Sequence, residues 1–136
     1  MPTVALVEDN ADNRLVVQLL LSIRYEVRDY EAGHEALTAL AALAEAGALP
    51  DVVLTDIDMP EMDGLEVLRR IRANPALAAL PVVALTAHAM RGYREQLLAA
   101  GFDGYVSKPI IDEAGLFAVL DECAGRAAAP PAPAVG

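Results

Sequence analysis

The sequence has little cysteine, few basic residues and no long apolar run. Its single cysteine, Cys123, has no partner in the chain for a disulfide. Ten basic residues stand against 20 acidic ones, for a formal net charge of -10, and the longest basic cluster is Arg69-Arg70. We therefore expect no surface for nucleic acid or for an anionic membrane.

The apolar runs are also too short for a membrane span, which needs about 20 residues. The opening residues, MPTVALVED, place no basic segment before the first apolar run, unlike a signal peptide. We expect a cytoplasmic location.

What the chain does contain is a regular alternation of strand-like and helix-like patterns. Five short β-rich runs predict strands, at 3–7, 25–27, 52–55, 82–85 and 105–106. Helical patterns follow each of them. Nearly continuous apolar strands with helices between them are typical of a parallel sheet covered on both faces. The predicted fold class is a doubly wound α/β domain.

The helical patterns have recognisable ends. Asp9 and Asn10 supply N-cap chemistry for the first helix, and Asn74-Pro75 ends the third. The fourth is expected to begin near Met90. The first and fifth helices carry apolar stripes, made of Leu15, Val16, Leu19, Leu20 and Ile23 in one and of Leu116, Val119, Leu120 and Cys123 in the other.

The last residues lose both periodicity and charge. From Arg126 the chain reads RAAAPPAPAVG. We expect one domain over 1–124, followed at 125–136 by a flexible Ala/Pro tail or the start of a linker.

Polar residues end four of the predicted strands. Glu8 and Asp9 follow the first strand, Asp56 the third, Thr86 the fourth, and Ser107-Lys108 the fifth. Because the carboxyl ends of parallel strands meet at one edge, where open α/β sheets bind ligands, these side chains are expected to form one site.

The chemistry of this predicted site is that of phosphoryl transfer onto a carboxylate. Crowded carboxylates repel one another unless a hard cation lies among them, and oxygen ligands suit Mg²⁺. Lys108 is the only lysine, against nine arginines. This strand end therefore carries a compact ammonium charge where the rest of the chain uses planar guanidinium groups. Asp56 beside a metal, a lysine and a hydroxyl is a feasible nucleophile.

Four segments together resemble the receiver domain of two-component response regulators. They are VEDN at 7–10, DIDMPEMDG at 56–64, LTAHAM at 85–90 and YVSKPI at 105–110. The likeness covers about residues 3–124. It implies a flavodoxin-like (βα)5 fold with strand order 2-1-3-4-5, and a single-domain regulator that resembles those of chemotaxis and the cell cycle.

The resemblance also implies roles for the acidic residues. Asp56 would accept a phosphoryl group from a histidine kinase or a histidine phosphotransfer protein. Asp9 would bind Mg²⁺ directly and Glu8 mainly through water, with Asp56 and the backbone carbonyl of Asp58 as further ligands. Asp58 and His88 match positions that tune the rate of dephosphorylation.

Further roles follow from the same resemblance. Lys108 would contact the phosphoryl oxygens, and the Lys108-Pro109 bond is usually cis in such domains. Thr86 matches the switch hydroxyl and Tyr105 the aromatic ring that moves inward with it. The rearranged surface, formed by the fourth helix, fifth strand and fifth helix, would bind a downstream protein. No enzymatic activity is expected beyond the chain's own phosphorylation and dephosphorylation.

Two local features stand outside these roles. Arg24 occupies a turn where many receivers have glycine; if that turn needs a left-handed backbone, arginine costs about 1 kcal/mol. Tyr93, Arg91 and Arg94 form a candidate partner-facing patch on the fourth helix, although a solvated helix face is the alternative. Met90 and Cys123 are expected in the core.

Three alternatives remain at the level of sequence. The chain can be the receiver half of a larger regulator or hybrid kinase, or a receiver-like module that acts without phosphorylation. The pair Asp56 and Asp58 also resembles the D-x-D of haloacid dehalogenase-type phosphatases. In those enzymes the pair follows the first strand, whereas here it follows the third.

Overall fold

The computed structural model describes residues 2–87, 93–108 and 113–128; for Arg94 and residues 126–128 it describes the backbone alone. Strands and helices alternate throughout the described chain. The elements are β1 Thr3–Val7, α1 Ala11–Leu21, β2 Glu26–Tyr30, α2 Gly33–Glu45, β3 Val52–Asp56, α3 Gly64–Ala73, β4 Val82–Thr86, α4 Tyr93–Ala100, β5 Gly104–Ser107 and α5 Glu113–Ala128. No described helix has the length and apolar character needed to cross a bilayer.

All the strands pair in parallel, in the order β2-β1-β3-β4-β5. This confirms the predicted fold class and strand order. Every residue of β3 and of β4 is buried, as expected for central strands covered on both faces. Asp56 pairs with Leu85 and Thr86 with Ser107, so the strand ends lie side by side at one edge.

Side-chain caps fix the starts of α1 and α3. The Asn10 side chain accepts a hydrogen bond from the Asn13 N–H at 2.9 Å, and the Asp63 side chain accepts one from the Glu66 N–H at 2.9 Å. Each cap satisfies a backbone donor that the first helical turn leaves unpaired. Both helices therefore begin at the carboxyl edge of the sheet, next to the predicted site.

The apolar stripe of α1 faces outward rather than toward the sheet. Val17 and Leu21 are the buried residues of this helix, whereas Leu15, Val16, Leu19 and Ile23 are 57–67% exposed. Apolar residues cover more than one side of α1, so periodicity alone does not identify the side that packs on the sheet. Of the predicted stripe, only Leu20 packs, in part, against the core.

The turn before β2 is built on side-chain contacts. The positive-φ residues of the described chain are Glu61, Gly47 and Gly101, so Arg24 is not in the left-handed region. Its guanidinium lies 2.7 Å from Asp121 of α5 and above the Phe117 ring. The Arg24 turn therefore avoids the backbone strain considered above.

Part of the predicted core is reproduced. Cys123 is buried with Leu116 and Leu120, as expected. Helix α5 continues to Ala128, past the predicted domain boundary at residue 124. Met90, Arg91 and residues 129–136 lie outside the described residues, so the flexible tail stays a prediction.

Candidate functional site

Asp56 occupies the centre of the carboxyl edge. It ends β3, and only 2% of its surface is exposed. Lys108 Nζ donates a hydrogen bond to Asp56 Oδ2 at 2.8 Å, and the Asp58 N–H donates to Oδ1 at 3.2 Å. The Lys108 backbone N–H in turn donates to the Thr86 carbonyl at 2.7 Å. Two neighbouring strand ends thus hold the lysine against the aspartate.

The acidic pair after β1 lies beside Asp56. Glu8 is fully buried and Asp9 is exposed. One carboxylate oxygen from each of Glu8, Asp9 and Asp56 lies within 4.8 Å of the others. Glu8 Oε1 accepts a hydrogen bond from Lys108 Nζ at 3.2 Å, whereas Oε2 is buried with no hydrogen-bond partner among the described residues.

The charges of this cluster shift the acid–base properties of its members. Burial and the neighbouring Asp56 raise the pKa of Glu8 to about 7, against a smaller opposing effect of Lys108. Burial by itself would lower the pKa of Lys108, but Asp56 and Glu8 raise it overall. The cluster therefore carries an excess of negative charge, since one lysine lies among three carboxylates.

Gly64 allows α3 to begin directly against the end of β3. A Cβ at Gly64 would collide with the Asp56 carbonyl oxygen and would lie 2.9 Å from Ile57 Cα. The Gly64 N–H donates to the Ile57 carbonyl at 3.0 Å. Sequence reasoning missed this function of Gly64; the signal available was a glycine directly after the Asp63 cap.

The predicted switch residues lie on β4 and β5. Thr86 is fully buried at the end of β4, and Tyr105 of β5 packs partly buried against the core. The side chain of Asp58 is exposed at the mouth of the site. Two predicted features, His88 and the Lys108-Pro109 bond, extend outside the described residues.

Tyr93, a member of the candidate partner-facing patch, is turned partly inward. Its ring packs against the core, and its phenol is hydrogen-bonded to the Thr86 side chain. Sequence reasoning did not anticipate this contact, because no local pattern links the two positions.

Residues 4–121 match the family described as the response regulator receiver domain. The chain belongs to the response regulator receiver domain family. Receiver domains act in two-component signalling, where histidine kinases supply the phosphoryl group, and the family characteristically binds Mg²⁺ in an acidic pocket. The haloacid dehalogenase-type alternative is thereby set aside.

Relatives of this receiver domain occur in proteins of different size. The chain is 42% identical to the sensor protein GacS of Pseudomonas syringae over 97% of its length, and it spans 14% of that protein. It is 39% identical to the polar-differentiation response regulator DivK of Brucella ovis over 79% of its length, and it spans 85% of that protein.

A solved receiver domain supports the same family assignment. The receiver domain of a sensor histidine kinase from Pseudomonas aeruginosa, 34% identical, aligns with a TM-score of 0.75 over 91% of this chain and 98% of its own. That crystal structure is described as having a magnesium ion coordinated in its active-site cleft.

Proposed function

We propose that this receiver domain is a phosphorylation switch in which Asp56 accepts a phosphoryl group from the phosphohistidine of a histidine kinase or phosphotransfer protein. The observation that carries the proposal is the ion pair between Lys108 and Asp56 at the end of a central strand. A carboxylate in that position is costly to bury unless its charge is used or paired.

The acidic cluster fits Mg²⁺. It offers oxygen ligands from Glu8, Asp9 and Asp56, and the buried Glu8 Oε2 lacks a hydrogen-bond partner among the described residues. The backbone carbonyl of Asp58 is the expected fourth protein ligand. When bound, the ion neutralises negative charge that builds up on the transferring phosphoryl group.

The transfer forms one bond and breaks one. An oxygen of the Asp56 carboxylate attacks phosphorus, and the bond from phosphorus to the donor nitrogen breaks with its electron pair left on the histidine. Lys108 would contact the phosphoryl oxygens; the 2.8 Å hydrogen bond from its ammonium to Asp56 Oδ2 supports this role. Hydrolysis of the resulting acyl phosphate regenerates Asp56 and releases phosphate, with Asp58 and His88 tuning the access of water.

The switch would act through Thr86 and Tyr105 on the α4-β5-α5 surface, where a downstream protein binds. Shifting a population from mostly inactive to mostly active takes about 5.5 kcal/mol of differential binding. Hydrogen bonds from Thr86 and Lys108 to a charged phosphoryl group supply about 1.5–3 kcal/mol each. Since α4 and α5 both pack against β5, a change at Tyr105 reaches both helices.

The exposed apolar stripe of α1 supports a protein donor. Leu15, Val16, Leu19 and Ile23 present it to solvent. Helix α1 begins directly after the acidic pair, and Arg14 Nη1 donates to the Glu8 carbonyl at 3.0 Å. The occupant we propose is the protein that carries the phosphohistidine, because it must cover Asp56 at the moment of transfer.

The proposed chemistry is the same whether the domain stands alone or forms part of a larger protein. Its relatives include both a large sensor protein and a short response regulator, and either setting uses the chemistry proposed for Asp56. Apart from forming and hydrolysing its own acyl phosphate the domain is proposed to have no enzymatic activity, and its proposed location is the cytoplasm.

Intact-mass spectrometry tests the proposed acceptor. The chain is incubated with a small acyl-phosphate donor with and without Mg²⁺, beside Asp56→Asn and the control Asp12→Asn, whose side chain is exposed on α1. A labile single-phosphate adduct is expected for the native and Asp12→Asn chains in Mg²⁺, and none for Asp56→Asn. An adduct that persists in folded Asp56→Asn would place the acceptor elsewhere.

A further inference from the structure

Tyr93 links the predicted switch hydroxyl directly to α4. It is the first residue of α4, and a side-chain hydrogen bond joins its phenol to Thr86. Thr86 is fully buried at the end of β4. The Tyr93 ring is half-buried and packs against the same core cluster as Tyr105. The phenol is thus held by packing as well as by the hydrogen bond.

The surroundings of the phenol place it close to the acceptor site. Burial raises the pKa of Tyr93, and the negative charges of Asp58 and Asp63 raise it further, against the opposing effect of the Thr86 hydrogen bond. The Asp58 backbone N–H donates a hydrogen bond to Asp56 Oδ1. Tyr93 therefore faces the acidic edge that would receive the phosphoryl group.

We propose that Tyr93 is a second switch residue, which holds the Thr86 side chain before phosphorylation and competes with the phosphoryl group for it. This inference rests on the proposed function of Asp56 and Thr86. Threonine has few favourable χ1 positions, so its hydroxyl reaches a new partner by rotating into another well. When the Thr86 hydroxyl turns to the phosphoryl group, the bond to Tyr93 breaks and the start of α4 is released.

This role is separate from that of Tyr105. Tyr105 lies on β5, where it pairs with Ala84, and carries the change toward the β5 side of the surface. Tyr93 carries it to α4 in a single contact. Coupling between two binding sites is reciprocal. A partner that holds Tyr93 against Thr86 would therefore weaken phosphoryl binding by the same factor by which the phosphoryl group weakens binding of that partner.

Binding of beryllofluoride, a phosphoryl analogue, tests the competition. Its affinity is measured in the presence of Mg²⁺ by fluorine NMR for the native chain, Tyr93→Phe and the control Tyr25→Phe. Phenylalanine keeps the ring packing in both variants, and the Tyr25 hydroxyl bonds Asp121 of α5 instead of Thr86. Tyr93→Phe is expected to bind about 2- to 10-fold more tightly, the range for one neutral hydrogen bond, whereas Tyr25→Phe matches the native chain.

A double-mutant cycle with Thr86→Val identifies the contact responsible. In the Thr86→Val background, Tyr93→Phe is expected to have no further effect. Equal or weaker binding by folded Tyr93→Phe would overturn the inference, and so would tighter binding that persists in Thr86→Val. Failure of the native chain to bind beryllofluoride and to form the acyl phosphate would overturn the proposed function as well.

Discussion

The Lys108 ammonium lies 2.8 Å from Asp56 Oδ2 and 3.2 Å from Glu8 Oε1, so one cation contacts two buried carboxylates. The site therefore combines a paired, buried carboxylate with an excess of negative charge. Both features follow from strand ends that lie side by side.

Replacing Lys108 is expected to affect stability and phosphorylation separately. Lys108→Met leaves Asp56 and Glu8 without a cation and is expected to lower the free energy of unfolding by about 2 kcal/mol in Mg²⁺-free buffer. Lys108→Arg keeps the charge but not the compact ammonium, so adduct formation slows while stability changes little. Urea unfolding and intact-mass kinetics measure the two effects. A Lys108→Met chain as stable as the native one would contradict this account.

Mg²⁺ is expected to stabilise the fold more at about pH 8 than at about pH 5. The pKa of Glu8 is about 7 in the folded chain against an ordinary 4.5. The folded state thus holds more protons than the unfolded state between these values, and metal-free stability falls as pH rises through that window. Mg²⁺ favours the ionised carboxylates and offsets the fall.

Unfolding with and without Mg²⁺ at the two pH values measures this dependence. Glu8→Gln serves as the reference, since it cannot titrate. Equal stabilisation by Mg²⁺ at both pH values in the native chain would rule out the role assigned to Glu8.

Gly64→Ala is expected to lower the free energy of unfolding by about 1–3 kcal/mol, because its Cβ would collide with the backbone of Asp56 and Ile57. Gly125→Ala in α5 is the matched control. A Cβ there meets nothing within 4 Å, so the substitution is expected to be neutral or to stabilise α5 by up to about 1 kcal/mol. Urea unfolding compares them; equal effects would show that the α3 start tolerates a side chain.

Polar substitutions on the α1 stripe are expected to slow phosphoryl transfer from a protein donor but not from a small acyl-phosphate donor. Leu15→Ser combined with Leu19→Ser removes apolar surface that a phosphohistidine protein would cover, and is expected to slow transfer about tenfold or more. The rate with a small acyl-phosphate donor stays unchanged, because Asp56 and its neighbours are intact.

The measurement uses a phosphohistidine protein found to phosphorylate the native chain. Leu98→Ser, a substitution at a half-exposed leucine of α4, is the control and should transfer at the native rate. Unimpaired transfer to the Leu15/Leu19 variant would remove α1 from the donor surface.

The sequence by itself determined the fold class and the membership of the site. Apolar runs that alternate with helical patterns predict a parallel sheet, and in such a sheet all carboxyl ends meet at one edge. Glu8, Asp56, Thr86 and Lys108 therefore had to converge, whatever the details of side-chain packing. The caps at Asn10 and Asp63 are equally local, since each acts within one helical turn.

Tertiary structure alone decided which side of α1 is covered and which contacts surround Thr86. Val17 rather than Leu19 packs on the sheet, because apolar residues on two sides of a helix leave its rotation to be set by its neighbours. The contact of Tyr93 with Thr86 and the close backbone approach at Gly64 depend on distances between separate elements. Such distances arise when helices dock on the sheet, and no periodicity along the chain encodes them.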